Sequence, residues 1–196
     1  DRDSFDKLLA HNLDTFKVGQ SGAPDYQYVV TPCATCSATL KEIWPSMPAQ
    51  PELGEKAAPF AAKVMDISQF LVDVLGVTEL PEQEGTSVTY HDPCHLKNSL
   101  GVTAQPRTLL KASKGAHFVE LNEAGVCCGC GGSFNLQHYD LSRKIGEQKA
   151  QNIMESNAQI AATSCPACMM QIADQLSHKQ AAASVKHVIE VYAESL

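Results

Sequence analysis

Ile160-Ala-Ala-Thr-Ser-Cys165-Pro-Ala-Cys168 is a short run of small and β-branched residues that ends in two cysteines one helical turn apart. A run of this kind predicts a strand, and a proline just past it marks the opening of a helix. Tyr28-Val-Val-Thr-Pro-Cys33-Ala-Thr-Cys36 has the same layout. The likeness extends outward from both pairs. Upstream, Ala10-His-Asn12-Leu13 parallels Ala150-Gln-Asn152-Ile153, and downstream the stretch from Val64 to Leu71 parallels that from Val185 to Tyr192. Two copies of one unit are therefore expected.

The copies are unequal. The second begins with elements around Cys94 and Cys127-Cys128 that have no counterpart ahead of Cys33. Residues 1–80 are accordingly expected to be the C-terminal part of a first repeat truncated at its start, residues 86–196 a complete second repeat, and the chain a piece of a longer protein.

Apolar spacing supplies the remaining elements. Phe5, Leu8, Leu9, Leu13 and Phe16 predict a helix capped by Asp3 or Ser4. A polar turn over 19–25 then leads into the first strand. Leu40, Ile43 and Trp44 predict a short helix ended by Pro45. Residues 46–59, rich in proline and small side chains, are expected to form a surface connection, followed by a helix with Ile67, Phe70, Leu71 and Val74 that Gly76 closes. After a linker over 81–85 come strand 87–90, the Cys94 loop, a helix opened by Pro106, strand 117–121, the loop 127–133, a helix with Leu141, Ile145, Lys149 and Ile153, and strand 159–163. Alternating strands and helices predict an α/β fold of two related repeats, with a largely parallel sheet, flanking helices and cysteine loops at the strand C-terminal ends.

A chain of 196 residues with 44% hydrophobic content can bury a core without cross-links, so its eight cysteines need another purpose. No basic, apolar leader is visible and no apolar run approaches the roughly 20 residues of a membrane span, which argues for no transmembrane segment and a reducing, cytoplasmic setting. The net charge of −7 carries no Lys/Arg cluster that would serve a nucleic-acid backbone.

Cys94, Cys127, Cys128, Cys165 and Cys168 each follow a predicted strand or lie in the glycine-rich loop. In an open parallel sheet those positions share one edge, where sites form. Soft thiolates in that number select an iron–sulfur cluster or zinc. Adjacent cysteines suit a closed tetrahedral zinc site poorly, since neighbouring side chains diverge, whereas a larger cluster accommodates them. Gly125, Gly129, Gly131 and Gly132 free the backbone to wrap closely and offer N–H groups to sulfur. A thiol–disulfide exchange site at Cys165 and Cys168 is an alternative that leaves Cys94, Cys127 and Cys128 unexplained. Cys130 is a spare thiol or a substitute ligand. His91 and His95 flank Cys94, where either can ligate a metal, bond to sulfur or carry a proton. Asp92, beside Pro93, is expected to form a turn.

The pattern Cys94, Cys127-Cys128-Gly129, Cys165-x-x-Cys168 resembles the cysteine-rich CCG domain of heterodisulfide reductase and of glycolate oxidase and lactate-utilisation iron–sulfur subunits. His91-Asp-Pro-Cys94-His and Cys127-Cys-Gly-Cys-Gly-Gly-Ser-Phe134 are most similar to the glycolate and lactate branch. The resemblance implies two such repeats preceded by a ferredoxin-like segment, a cluster, often [4Fe–4S], or zinc on the five cysteines, and electron passage from a flavoprotein dehydrogenase toward a quinone or another acceptor. It also implies a position in the cytoplasm or peripheral to the inner membrane face through partners. Only the closing pair of the first site, Cys33 and Cys36, is in this chain. A heterodisulfide-reductase-like thiol catalyst and a zinc-stabilised assembly module are the other activities it allows.

Overall fold

The computed structural model describes residues 1–19 and 26–196, so the expected turn over 19–25 falls almost wholly outside the described residues. The chain divides into two compact units, Asp1–Asp66 and Ile67–Leu196.

In the first unit the Asp1 carboxylate accepts the Ser4 N–H at 2.7 Å and caps α1 (Arg2–Thr15), in place of the expected Asp3 or Ser4. Leu9 and Leu13 are buried with Trp44, Phe60 and Val64, whereas Leu8 is exposed, so the apolar stripe is narrower than its sequence suggests. β1 (Val29–Thr31) leads through Cys33 to α2 (Ala34–Ala38), which runs through a π-helical turn (Thr39–Ile43) into α3 (Trp44–Ser46). The expectation of a surface connection over 46–59 is corrected by α4 (Pro51–Ala61). Pro51 sits in its first turn, where the missing N–H costs nothing. Gly54 lets the helix close on α3: a Cβ there would lie 2.5 Å from the Pro45 carbonyl oxygen. β2 (Val64–Asp66) pairs in parallel with β1, Val29 opposite Val64 and Thr31 opposite Asp66.

The second unit opens with α5 (Ile67–Gln69) and a π-helical turn (Phe70–Val74), which the sequence places with the first repeat. Leu71, Val72 and Val77 pack instead against the core of this unit. Then follow β3 (Thr86–His91), a helical turn (His95–Ser99), α6 (Ala104–Ala112), β4 (Ala116–Phe118), α7 (Phe134–Gln137), α8 (Tyr139–Glu155), β5 (Ile160–Thr163), α9 (Pro166–His178), β6 (Ser184–His187) and α10 (Val188–Glu194). The strands form one parallel sheet in the order β4-β3-β5-β6. The fold is thus α/β, with parallel sheets flanked by helices as expected.

Val88 and Tyr90 of β3 and Ala162 of β5 pack with Leu109, Leu110, Val188 and Val191 from α6 and α10. Strand alternation turns Thr89 and His91 to the other face. That is the side of α8, because Lys149 of α8 and the His91 ring bond to the same carbonyl, that of Ala124. β3 and β5 run in register from Val88 opposite Ile160 to His91 opposite Thr163, so the segments carrying Cys94 and Cys165 leave the sheet side by side.

Candidate metal centre

Three chain segments meet beyond the carboxyl edge of β3 and β5. β3 ends at His91 and continues through Asp92 and Pro93 to Cys94. Cys165 is the N-cap of α9, with Cys168 in its first turn, so both sulfurs lie at the positive end of a 13-residue helix. The loop 121–133 supplies Cys127, Cys128 and Cys130.

That loop rests on small residues of α8. The Gly129 backbone has φ +92°, and a Cβ there would stand 2.5 Å from the Ser142 carbonyl oxygen. Ser142 Oγ donates to the Gly129 carbonyl at 2.9 Å, and Gln171 Nε2 donates to Ser142 Oγ at 3.3 Å. The Gly129 N–H in turn points at Cys127 Sγ, 3.3 Å away.

His91, Cys128 and Cys168 each place a ligating atom within 4.8 Å of the other two, and all three residues are buried. Cys128 exchanges side-chain hydrogen bonds with Cys127 and Cys168, and Cys168 with Cys165. Cys94 lies close enough to Cys127 to bear on its charge, and Cys130 close enough to Cys128 and Cys165 to feel theirs. The structure therefore gathers the five expected cysteines of this unit, with Cys130 beside them. Cys128, Cys165 and Cys168 are buried, Cys94 and Cys130 half-buried, and Cys127 is exposed.

These contacts dictate where negative charge rests. The Cys128 thiol is held far below its ordinary value because Cys127 and Cys168 direct hydrogen bonds to its sulfur, with His91 adding to the effect against burial. Cys127 and Cys168 are pushed up, first by those same bonds and then by burial and, for Cys168, a bond to Cys165. Burial raises Cys130. One thiolate with two thiols pointed at it is a set of donors that a soft cation can replace proton by proton.

Two more residues belong with the site: His91, one of two histidines the sequence offers beside Cys94, and Lys149, which the sequence places only on a helix face. His91 Nδ1 lies 3.1 Å from the Ala124 carbonyl oxygen, which makes it the protonated nitrogen and leaves Nε2, buried with no hydrogen-bond partner, as the free one. An imidazole held by a carbonyl on one nitrogen and bare on the other is the usual arrangement of a metal-binding histidine. Of the two histidines, His91 lies within reach of Cys128 and Cys168, while His95 is exposed on the following turn. The orphaned Nε2, the Gly129 cradle and the soft donor set fit a bound metal or cluster. Lys149, 1% exposed, donates to the carbonyls of Glu123 at 2.5 Å and Ala124 at 3.4 Å. Its sequence signal was a lysine in register with Ile145 and Ile153 on an apolar face.

Asp92 is more than a turn former. Arg107 grips its carboxylate at 2.7 and 2.9 Å and reaches Glu120 at 2.8 and 2.7 Å. These bonds, led by the one to Asp92, raise the guanidinium pKa further. The pair is nearly buried, with Arg107 also over the Tyr90 ring, and it anchors the chain between His91 and Cys94.

In the first unit Cys33 is the N-cap of α2 and its sulfur accepts the Cys36 N–H at 3.4 Å; Cys36 is exposed.

A family model described as CCG, cysteine-rich domain, matches residues 1–41 and 88–173. Among curated relatives, the lactate utilization protein A of Oceanobacillus iheyensis is 36% identical over 165 residues, which are 84% of this chain and 68% of that protein. Its Bacillus subtilis namesake is 30% identical over 94% of this chain and 75% of its own length. One subunit of the fumarate reductase (CoM/CoB) of Methanothermobacter marburgensis is 35% identical over 77% of this chain, which is 28% of that longer protein.

Proposed function

The chain belongs to the CCG cysteine-rich domain family, and from that membership we propose that its second unit holds an iron–sulfur cluster of the [4Fe–4S] kind on Cys94, Cys127, Cys128, Cys165 and Cys168. The observation that carries this reading is the meeting of five thiols from three segments at one sheet edge, around a buried Cys128 whose sulfur already draws hydrogen bonds from two others. Bound there, a cluster takes up and gives back single electrons. The chain's own part is to present thiolates at the α9 N-terminus, to set the Gly129 N–H on Cys127 and to keep Cys128 and Cys168 from water, all of which tune a potential.

The protein would serve as an electron-transfer subunit of a complex in which a flavoprotein dehydrogenase oxidises lactate or glycolate and passes electrons on toward a quinone or another acceptor. The support is the two lactate utilization relatives, each aligned over most of this chain. A cytoplasmic position, at the inner membrane face through partners, follows from the same reading. No helix among the described residues is long and apolar enough to cross a membrane. The two segments matched by the family model support reading residues 1–80 and 86–196 as two repeats. Cys33 and Cys36 would then close a first site.

A single zinc ion is the second reading, favoured by the compactness of the His91, Cys128 and Cys168 group. Anaerobic reconstitution with iron and sulfide separates the two. We expect a brown protein with a broad visible absorption that bleaches on reduction, returns on oxidation, and gives a paramagnetic signal in one state. A colourless protein that keeps stoichiometric zinc would overturn the cluster.

A further inference from the structure

Lys149 is a lysine with no carboxylate to pair with among the described residues. It is 1% exposed, on the face of α8 that also buries Ser142, Gly146, Ala150 and Ile153. Its ammonium is spent on two main-chain oxygens, those of Glu123 and Ala124. The nearby Glu123 carboxylate accepts instead from Asn152 Nδ2, at 3.0 Å. Burial accordingly pulls the lysine toward its neutral form, and the opposing attraction comes first from Cys128, then from Glu123, Asp92 and Cys127. A cation buried without a carboxylate partner is costly unless another negative charge compensates it. Here the leading compensating group is a cysteine.

Ala124 explains the geometry of the arrangement. Its carbonyl also accepts from the His91 ring and from the Asp92 N–H at 3.1 Å each, so one peptide ties the end of β3, the helix α8 and the start of the cysteine loop together. Lys149 shares the tethering of this segment to α8 with Asn152, whose Nδ2 donates to the Asn122 carbonyl at 3.2 Å, but Lys149 alone of the two reaches the Ala124 carbonyl.

We propose that Lys149 is a positioning and charge-setting residue of the metal centre: it holds the Glu123-Ala124 backbone that presents Cys127 and Cys128, and its positive charge offsets that of the thiolate-bound cluster. This rests on the iron–sulfur reading above. A cluster facing a fixed buried cation is easier to reduce, because the added electron meets a more positive local potential.

The test uses the whole chain with Lys149→Met, which keeps the length and loses the charge, and Lys149→Arg, which restores it. Each is reconstituted anaerobically, and the cluster midpoint potential is followed by redox titration. The expected result is a Lys149→Met protein whose cluster has a lower midpoint potential than the parent's, with Lys149→Arg returning toward the parent value. A cluster-bearing Lys149→Met protein with an unchanged potential would overturn the proposal, since a merely structural lysine alters stability and loading alone. Where Lys149→Met does not fold, Lys149→Gln, which keeps a donor without the charge, is expected to show the same fall. A second arm needs no cluster: in the metal-free protein, Lys149→Met is expected to speed amide hydrogen exchange at Asp92 and over residues 122–128 by about tenfold, as the hold on the Glu123 and Ala124 carbonyls is lost. An unchanged rate counts against Lys149. A parent protein that takes up no cluster sinks the iron–sulfur reading, while the hydrogen-exchange arm still decides whether the lysine holds the loop.

Discussion

The junctions at Cys33 and Cys165 are built alike and surrounded differently. Both cysteines follow a strand of a parallel pair and cap a helix with nearly the same backbone, φ −140° and ψ 113° at Cys33 against φ −138° and ψ 117° at Cys165. Even the register agrees, Thr31 lying opposite Asp66 and Thr163 opposite His187. Yet Cys36 is exposed, whereas its counterpart Cys168 is 5% exposed and in reach of His91 and Cys128. A strand running into a CxxC helix start therefore supplies two thiols at a helix N-terminus and no more. What makes the second junction a candidate site is β3, which brings His91 and Cys94, and the loop 121–133 laid on α8.

This contrast breaks most readily at the sulfurs. Cys128→Ser is expected to abolish iron and acid-labile sulfide binding by the second unit, because Cys128 is the buried sulfur to which Cys127 and Cys168 both direct hydrogen bonds. Cys36→Ser is expected to leave that loading intact. Equal losses in the two variants would mean that the units do not act separately.

The next effect is on stability. Arg107→Met strands the Asp92 carboxylate, whose side chain is 7% exposed, and is expected to cost about 3 kcal/mol in urea denaturation. Lys56→Met in the first unit breaks an ion pair with Asp14 whose side chains are 38% and 64% exposed, and is expected to cost less than about 0.5 kcal/mol. Similar values would show that the Asp92 segment is not held as described.

A smaller effect sits in the cysteine loop. Gly129→Ala meets both a positive φ and the Ser142 carbonyl, and is expected to cost about 2 kcal/mol and weaken metal loading. Gly131→Ala adds a methyl group where nothing lies within 4 Å and is expected to change stability by less than about 0.5 kcal/mol. Chemical denaturation and metal analysis of the pair read both outcomes.

What the sequence disclosed was what local pattern controls. Strand runs into cysteine pairs, the parallel α/β organisation and the sharing of one edge by the cysteine loops all follow from periodicity and from the geometry of parallel sheets. The helix over 51–61 was hidden because its prolines and small residues look like a connection, while Pro51 starts the helix and Gly54 lets it approach Pro45 closely. The buried face of α8 was misjudged for a related reason. Leu141 is exposed, and beside the expected Lys149 and Ile153 the protected positions are Ser142, Gly146, Ala150 and Asn152, small or polar where the helix meets the backbone of the cysteine loop. His91 could not be told from His95 until β3 was seen to run through position 91, where alternation turns the ring to the α8 side. Lys149 and Arg107 needed the tertiary structure, since their partners are distant carbonyls and carboxylates.

The most direct test of the central claim removes the first junction from consideration. The Cys33→Ser/Cys36→Ser double variant keeps only the thiols of the second unit, and Mössbauer spectroscopy after anaerobic reconstitution with labelled iron reads what they bind. The expected spectrum is that of a thiolate-ligated iron–sulfur cluster, with sulfide bound in proportion to iron. A protein that holds no iron, or holds it without sulfide, would contradict the assignment.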